Sequence, residues 1–189
     1  MADKKTLVEI RCHGRGGQGG VTSAELVAQA AISEGKYAQA FPSFGPERRG
    51  APVLAFIRVD SEQQIRVRSE VTQPDYVVVL DPGLISIVDV TAGLKEGGIT
   101  IINTKKTARQ IRDEFGIKGR LATVDATRIA RDTLGVPIVN TTMTGALIKA
   151  TGIVKTESMK SPIEARFGRL AERNIQAMEK AYAATKVEE

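Results

Sequence analysis

The sequence predicts an α/β protein: a three-layer, Rossmann-like, mostly parallel sheet with an antiparallel ribbon and a C-terminal helix. Apolar strand-like runs alternate with helical stretches along the whole chain, which is typical of this class. Residues 76–80 form an unbroken apolar run, as expected for a strand inside a parallel sheet. A glycine-rich stretch, residues 13–20, separates the first strand from an alanine-rich helix. With 189 residues, of which 42% are hydrophobic, the chain suits a single domain over residues 1–189.

The elements follow from local patterns in chain order. Alternating or continuous apolar runs predict seven strands, over residues 7–12, 37–41, 53–59, 65–69, 76–80, 99–102 and 121–124. Helical periodicity predicts helices over residues 21–34, 84–90, 105–115 and 126–134, another that follows residue 145 to about 151, and a last one from residue 161. Gly35 and Gly116 are expected to end helices, and Asp125 to cap one.

Two of these elements carry further expectations. The strands at residues 53–59 and 65–69 should form an antiparallel pair with one face in water, because the second alternates apolar and basic residues. The last helix should begin at a capping box, residues 161–164, with Pro162 at its first position. Its apolar stripe should include Leu170. Asn174 lies on that stripe and should be hydrogen-bonded, tying the helix to the sheet, whereas the tail from residue 186 should fray.

Composition excludes several function classes. The net charge is +5, but aromatic residues are 4% and Trp is absent, so base-stacking surfaces are scarce and we expect no nucleic-acid binding. No apolar run approaches a membrane span, and none near residue 1 has signal-peptide length, so we expect no membrane association and a cytoplasmic location.

The chain offers few groups for chemistry. Cys12 is the single cysteine, which excludes an internal disulfide and a cysteine-ligated iron–sulfur cluster held by this chain alone. Its place in an apolar strand predicts a buried, inert thiol. His13 is the single histidine and is expected to be a backbone hydrogen-bond partner rather than a group that polarises a ligand. We therefore predict no metal site and no catalytic residue in this chain.

The glycine-rich stretch is the candidate binding site. Gly14, Gly16 and Gly19 fit the G-x-G-x-x-G pattern between a strand and a helix, and Gly17 and Gln18 lie within it. Backbone amides and a helix N-terminus suit a phosphate. A dinucleotide site, however, usually has an acidic residue at the end of the second strand, and none is present here. The alternative is an empty packing turn whose helix end is closed by a capping box between residues 22 and 25.

A second candidate is Arg48-Arg49, within the loop 42–52, which contains three prolines. Adjacent guanidinium groups in a rigid loop suit phosphate or carboxylate recognition. The alternative is a solvated surface pair or an ion pair between subunits. Because the loop follows the second strand, it should lie near the glycine-rich stretch, and the two together would make a phosphate site.

Two longer segments carry a family resemblance. Residues 14–26 (GRGGQGGVTSAEL) and 41–53 (FPSFGPERRGAPV) resemble the gamma subunit of the 2-oxoacid:ferredoxin oxidoreductases, particularly of the pyruvate enzymes. Residues 140–146 (NTTMTGA) and most of the remaining chain are similar as well. The resemblance implies oxidative decarboxylation of a 2-oxoacid, most closely pyruvate, with transfer of the acyl group to coenzyme A and of electrons to ferredoxin.

The resemblance also assigns roles to partners and residues. Thiamine diphosphate and iron–sulfur clusters would lie in partner subunits of alpha, beta and delta type, and the isolated chain would be inactive and able to self-associate. Coenzyme A would be bound in part here: the backbone at Gly14, Gly16, Gly17 and Gly19 would face its pyrophosphate, and Arg48 and Arg49 would meet its phosphates. Asn140 and Met143 would lie at the contact with the catalytic subunits.

Overall fold

The residues that the structure describes form seven strands and six α-helices. The computed structural model describes residues 6–43 and 50–189. The strands are β1 (Leu7–Arg15), β2 (Tyr37–Pro42), β3 (Pro52–Asp60), β4 (Tyr76–Val79), β5 (Ile99–Asn103), β6 (Arg120–Val124) and β7 (Lys186–Glu188). The helices are α1 (Gly20–Ser33), α2 (Ala108–Phe115), α3 (Ala126–Leu134), α4 (Asn140–Thr151), α5 (Lys160–Phe167) and α6 (Ala171–Ala184).

All seven strands join one sheet in the order β2-β3-β1-β4-β5-β6-β7. The pairs β1–β4, β4–β5 and β5–β6 are parallel, so the carboxyl ends of the four central strands lie at one edge. Antiparallel pairing adds β3 and β2 on one side and β7 on the other. The predicted α/β class is confirmed, and the parallel part is the centre of the sheet.

Two main hydrophobic cores make the layers, and Phe41, Phe56 and Val71 form a third, minor cluster. The larger core covers one face of the sheet with α1 and α3–α6, and it buries Ile10, Leu26, Val78, Ile101 and Met178. The smaller core covers the other face of the central strands, mainly with α2 and the 3-10 turn Pro82–Ser86. Successive residues of β4 enter opposite cores, because side chains alternate along a strand. In the part of the chain that the structure describes, no helix is long and apolar enough to cross a membrane.

The predicted strand at residues 65–69 is wrong. This segment follows β3 but forms no regular strand, and Arg66, Val67 and Arg68 are exposed. Both edges of β3 are already paired, with β1 and with β2, so no edge is free to receive a hairpin partner. Side chains bind the segment instead: Gln39 Nε2 donates to the carbonyl oxygen of Ile65 over 2.8 Å, and Arg58 Nη1 donates to that of Val67.

The C-terminal region also differs from its prediction. There is no capping box at residues 161–164, because α5 begins one residue earlier, after a 3-10 turn, with no side-chain cap. Gly168, at φ +51°, separates α5 from α6, and Leu170 is exposed rather than part of a continuous stripe. The tail is not frayed: residues 186–188 pair with β6, whose outer edge would otherwise expose unpaired backbone groups.

Several local signals are confirmed. Asp125 caps α3 through a hydrogen bond from the backbone N–H of Arg128, and Gly116 ends α2 in the left-handed conformation. Asn174 is buried and hydrogen-bonded as expected, but its partner is another helix rather than the sheet. Thr141 Oγ1, on α4, donates to Asn174 Oδ1 over 2.9 Å. This bond joins α4 to α6 inside the larger core.

Candidate functional site

The glycine-rich stretch divides into a strand end and a turn. β1 continues to Arg15, three residues beyond its predicted end, because Gly14 and Arg15 pair with the start of β3. The turn proper, called here the glycine turn, is residues 16–19. Gly17 and Gly19 have φ angles of +94° and +79°, a conformation that favours glycine. Gly14 therefore belongs to the strand, while Gly16, Gly17, Gln18 and Gly19 shape the turn.

Side chains from two strand ends hold the glycine turn in place. Gln18 Oε1 accepts from the backbone N–H of Arg15 over 2.7 Å, and Gln18 Nε2 donates to Asp81 Oδ2 over 3.0 Å. Arg15 Nε donates to the same Asp81 oxygen over 2.9 Å. Gln18 thus uses both ends of its amide inside the protein, so its part in the site is to organise the turn.

The first turn of α1 offers free backbone donors. Gly19 is the N-cap residue, and no side chain caps this helix end. Because the first helical bond runs from Ser23 N to Gly19 O, the N–H groups of residues 20–22 have no acceptor within the helix. Glu25 is exposed and does not close the helix end, so the alternative of a capping box between residues 22 and 25 is wrong. The donors point to the carboxyl edge of the sheet, where α/β proteins bind ligands.

A cavity of about 260 Å³ lies over these donors. Its walls are the glycine turn, the start of α1 and the facing ends of β1 and β3. On its other side the turn touches Asn140, the first residue of α4: a Cβ added at Gly19 would lie 2.9 Å from Asn140 Cβ and 3.0 Å from its Nδ2. Asn140 supports the turn from this side and does not line the cavity. Asn140 and Met143 are both buried within this chain, so the expectation that they lie at a subunit contact is wrong.

The loop that carries Arg48 and Arg49 ends against the glycine turn. The two arginines lie outside the described residues, but Gly50 and Ala51, which follow them directly, are described. Gly50 N donates to Gly16 O over 3.1 Å, and Gly16 N donates to Ala51 O over 3.0 Å. The expectation that this loop reaches the glycine-rich stretch therefore holds for its C-terminal end.

Cys12 and His13 lie next to the site, and their side chains are buried and uncharged. Burial raises the pKa of the Cys12 thiol to about 12, so it stays protonated and inert, as predicted. His13 Nε2 accepts a hydrogen bond from Arg11 Nε over 3.1 Å, so its ring partner is a side chain rather than backbone. Arg11 in turn donates to the carbonyl oxygens of residues 71, 90 and 92, which fastens two loops to β1.

His13 predicts a pH-dependent stability. Burial, and secondly the charge of Arg11, lower its pKa from 6.5 to about 4. As the pH falls below 6.5, the unfolded chain takes up a proton that the folded chain refuses until about pH 4, so stability is lost. We expect this group to cost about 2 kcal/mol between pH 7 and pH 5. Urea unfolding of the wild type and of His13→Gln, which keeps an acceptor but does not titrate, measures the difference. Parallel pH profiles for the two proteins would contradict this assignment.

In the described residues, 6–43 and 50–189, no three histidine, cysteine, aspartate or glutamate side chains are grouped so that they could hold a metal ion. The strand-end carboxylates serve structure instead. Asp81 caps the 3-10 turn through Gly83 N and binds Arg15 and Gln18, and Asp125 caps α3. What the site can do is bind an anion through backbone donors.

Known proteins share both the sequence and the fold. A profile of the family described as pyruvate ferredoxin/flavodoxin oxidoreductase matches residues 9–184. The pyruvate/ketoisovalerate oxidoreductases common subunit gamma of Thermococcus kodakarensis is 55% identical over 185 residues, covering 97% of this chain and 100% of that protein. The crystal structure of pyruvate oxidoreductase subunit PORC from Thermotoga maritima superposes with a TM-score of 0.88 at 40% identity, over 98% of this chain and 100% of that one.

A third likeness shows the fold alone. The 2-oxoglutarate:ferredoxin oxidoreductase of Magnetococcus marinus, solved with 2-oxoglutarate, coenzyme A and succinyl-CoA bound, matches at 19% identity with a TM-score of 0.76. The match covers 96% of this chain and 31% of that one, so the fold also occurs as part of a longer chain. Since the family profile spans residues 9–184 and the Thermococcus subunit matches along its whole length, the chain belongs to the pyruvate ferredoxin/flavodoxin oxidoreductase family as a gamma-type subunit.

Proposed function

We propose that this subunit binds part of coenzyme A at the glycine turn, within a pyruvate:ferredoxin oxidoreductase complex. The observation that carries the proposal is the uncapped N-terminus of α1 beside a glycine turn at the carboxyl edge of the sheet. Coenzyme A carries a pyrophosphate and a 3′-phosphate, and free amides at a helix N-terminus suit such groups. Gly16, Gly17 and Gly19 give the backbone its shape, and Arg48 and Arg49 supply positive charge next to Gly50.

The residues of the site fit this ligand better than a nicotinamide dinucleotide. β2 ends at Phe41 and Pro42, so it offers no carboxylate to a ribose. Arg15, which lines the cavity, is already paired with Asp81, which leaves the neighbouring loop to supply the charge for phosphates. When bound, coenzyme A contributes the thiol that accepts the acyl group. This chain's part is to bind and orient the phosphorylated end.

The reaction itself belongs to the partner subunits. We place thiamine diphosphate and the iron–sulfur clusters in alpha-, beta- and delta-type subunits, with ferredoxin as the electron acceptor of the cytoplasmic complex. The inert Cys12 and neutral His13 of this chain are in keeping with that division. The Thermococcus relative is a common subunit of a pyruvate and a ketoisovalerate oxidoreductase, so a gamma subunit of this kind need not select the oxoacid. Affinity purification from the source cell should recover the partners together, and their absence would contradict the proposal.

Titration calorimetry with coenzyme A on the assembled complex tests the site. Replacing Arg48→Ala/Arg49→Ala should weaken binding at least about 10-fold, because each charge-assisted hydrogen bond to a phosphate contributes about 1.5–3 kcal/mol. Arg66→Ala/Arg68→Ala is the matched control, since it removes the same charge from an exposed segment beside the opposite end of β1. Unchanged affinity in the first variant would instead favour a purely structural subunit whose turn is empty.

A further inference from the structure

A second cavity, of about 630 Å³, lies at the same edge of the sheet as the glycine turn. It opens between α2 and α3, beyond the carboxyl ends of β5 and β6, and is called here the α2–α3 cavity. Its volume is within the range of small-molecule sites, about 300–1,000 Å³. No residue of the glycine turn lines it.

The floor of the α2–α3 cavity is apolar. Ile111 and Phe115, one turn apart on α2, face it, and Pro82 closes the side nearest β4. Ile111 is almost fully buried, so the floor is part of the smaller core and is held rigidly. Asn103 Nδ2 binds the carbonyl oxygen of Leu80 and Thr127 Oγ1, which fixes the cavity's inner wall. Lys106 Nζ lies 5.4 Å from the centre of the Phe115 ring, so a flat apolar group, such as a base, would lie on this floor in place of the lysine side chain.

The rim of the α2–α3 cavity is positively charged. Lys105 and Lys106 follow β5, and Arg128 and Arg131 project from α3, against two carboxylates, Asp125 and Asp132. Lys106 is paired with Glu114 of α2, so its charge is already matched. Asp125 is engaged as the cap of α3, and Asp132 lies 3.7 Å from Arg128. No described residue pairs with Lys105 or Arg131 in the structure. An excess of cations around an apolar floor suits a ligand that joins a ring to phosphate groups.

The helix ends at this cavity are already closed by the protein. Thr107 and Gln110 form a capping box on α2. On α3, Asp125 accepts from Arg128 N, and Asn103 Oδ1 accepts from Thr127 N over 3.1 Å. Free backbone donors therefore do not define this cavity as they define the glycine turn. Recognition would rest on the side-chain cations.

The α2–α3 cavity adjoins the glycine turn. Gly83 lines the cavity, and a Cβ added there would lie 3.7 Å from Arg15 Nη2. Arg15 is bound to Asp81, which also holds Gln18 of the glycine turn. We infer that the α2–α3 cavity binds a nucleoside phosphate, with the base on Phe115 and Ile111 and the phosphates at Arg128, Arg131 and Lys105. Coenzyme A held at the glycine turn and a free adenine nucleotide carry the same chemistry, and the first of these sources rests on the function proposed above.

Competition and direct titration on the assembled complex test the inference, with adenosine 3′,5′-bisphosphate and coenzyme A as the probes. The variant Arg128→Gln/Arg131→Gln should bind the bisphosphate at least about 10-fold more weakly than the wild type. The matched control is Arg109→Gln/Arg169→Gln, which removes two exposed arginines outside the cavity, one of them in the same i,i+4 pairing with an aspartate as Arg128. It should bind as the wild type does.

The outcomes distinguish coenzyme A from a free nucleotide as the ligand of the α2–α3 cavity, and they test this inference separately from the role of the glycine turn. Weaker coenzyme A binding in the cavity variant assigns the nucleotide to coenzyme A, whereas weaker binding of the bisphosphate alone assigns it to a free nucleotide. Equal affinities in the cavity variant and its control, or no binding of the bisphosphate by the wild type, would overturn the inference. The role of the glycine turn is judged separately by the Arg48→Ala/Arg49→Ala variant, whatever the cavity variant does.

Discussion

Gly145→Ala is expected to destabilise the protein by about 3 kcal/mol or more, because overpacking a core against backbone cannot be relieved by a side-chain rotation. Gly145 lies in α4 where this helix crosses α6. A Cβ at this position would lie 2.1 Å from the carbonyl oxygen of Met178 and 3.1 Å from the backbone nitrogen of Tyr182. The helices would have to separate, which would also stretch the buried hydrogen bond between Thr141 and Asn174. Urea unfolding followed by circular dichroism measures the loss.

Gly20→Ala is the matched control for this prediction. Gly20 also lies in a helix, but a Cβ there would have only Leu80 Cδ2 within 4 Å, at 3.8 Å, and its φ is not in the left-handed region. The same chemical change should leave stability unchanged or raise it by up to about 1 kcal/mol, since alanine favours helix more than glycine does. Similar unfolding midpoints for the two variants would show that the α4–α6 crossing tolerates the added group.

Local chemistry explains why much of the fold could be predicted from the sequence. The continuous apolar run at β4 predicts a parallel strand, because a strand buried on both faces has apolar residues at every position. Gly116 and Asp125 end and begin helices through bonds to residues three or four positions away. Because both partners of such a bond lie within a short stretch of sequence, the helix end can be predicted without knowledge of the tertiary structure.

The errors arise where distant parts of the chain compete. The segment at residues 65–69 has the alternation of a strand, but β1 and β2 already occupy both edges of β3. Pairing with β3 likewise extends β1 to Arg15. On sequence alone, the glycines at residues 14 and 16 indicate a turn there instead of a strand. The tail forms β7 because the edge of β6 is open to it. No local pattern states which strand edges are free.

In the candidate site, too, the local features could be predicted from the sequence and the long-range contacts could not. Its glycine turn and the direction of α1 follow from one motif of six residues. The groups that hold the turn come from elsewhere: Asp81 is 66 positions from Arg15, and Asn140 is 117 positions from Ser23, whose Oγ binds its carbonyl oxygen. Only the folded sheet brings the ends of β1 and β4 together, so these partners could not be predicted from spacing.

Gly19→Ala should weaken coenzyme A binding by the assembled complex about 10- to 100-fold, the effect of losing one or two charge-assisted hydrogen bonds. At φ +79° an L side chain adds about 1–2 kcal/mol of strain, and the new Cβ would lie 2.9 Å from Asn140 Cβ. Because Asn140 is buried at the start of α4, the glycine turn rather than the helix should give way. That movement would misplace the free N–H groups of residues 20–22 over the cavity. Titration calorimetry measures the affinity.

Gly35→Ala is the matched control, because it adds the same backbone strain outside the site. Gly35 follows the other end of α1 at φ +78°, and a Cβ there would have no non-neighbouring atom within 4 Å, so this variant should bind coenzyme A with nearly the affinity of the wild type. Gly19→Ala should lower the free energy of unfolding by only about 1–2 kcal/mol, which is small enough for the complex to assemble. If Gly19→Ala assembles normally and binds coenzyme A as tightly as Gly35→Ala, the free amides at the start of α1 do not hold the ligand, and the proposed role of this helix end is wrong.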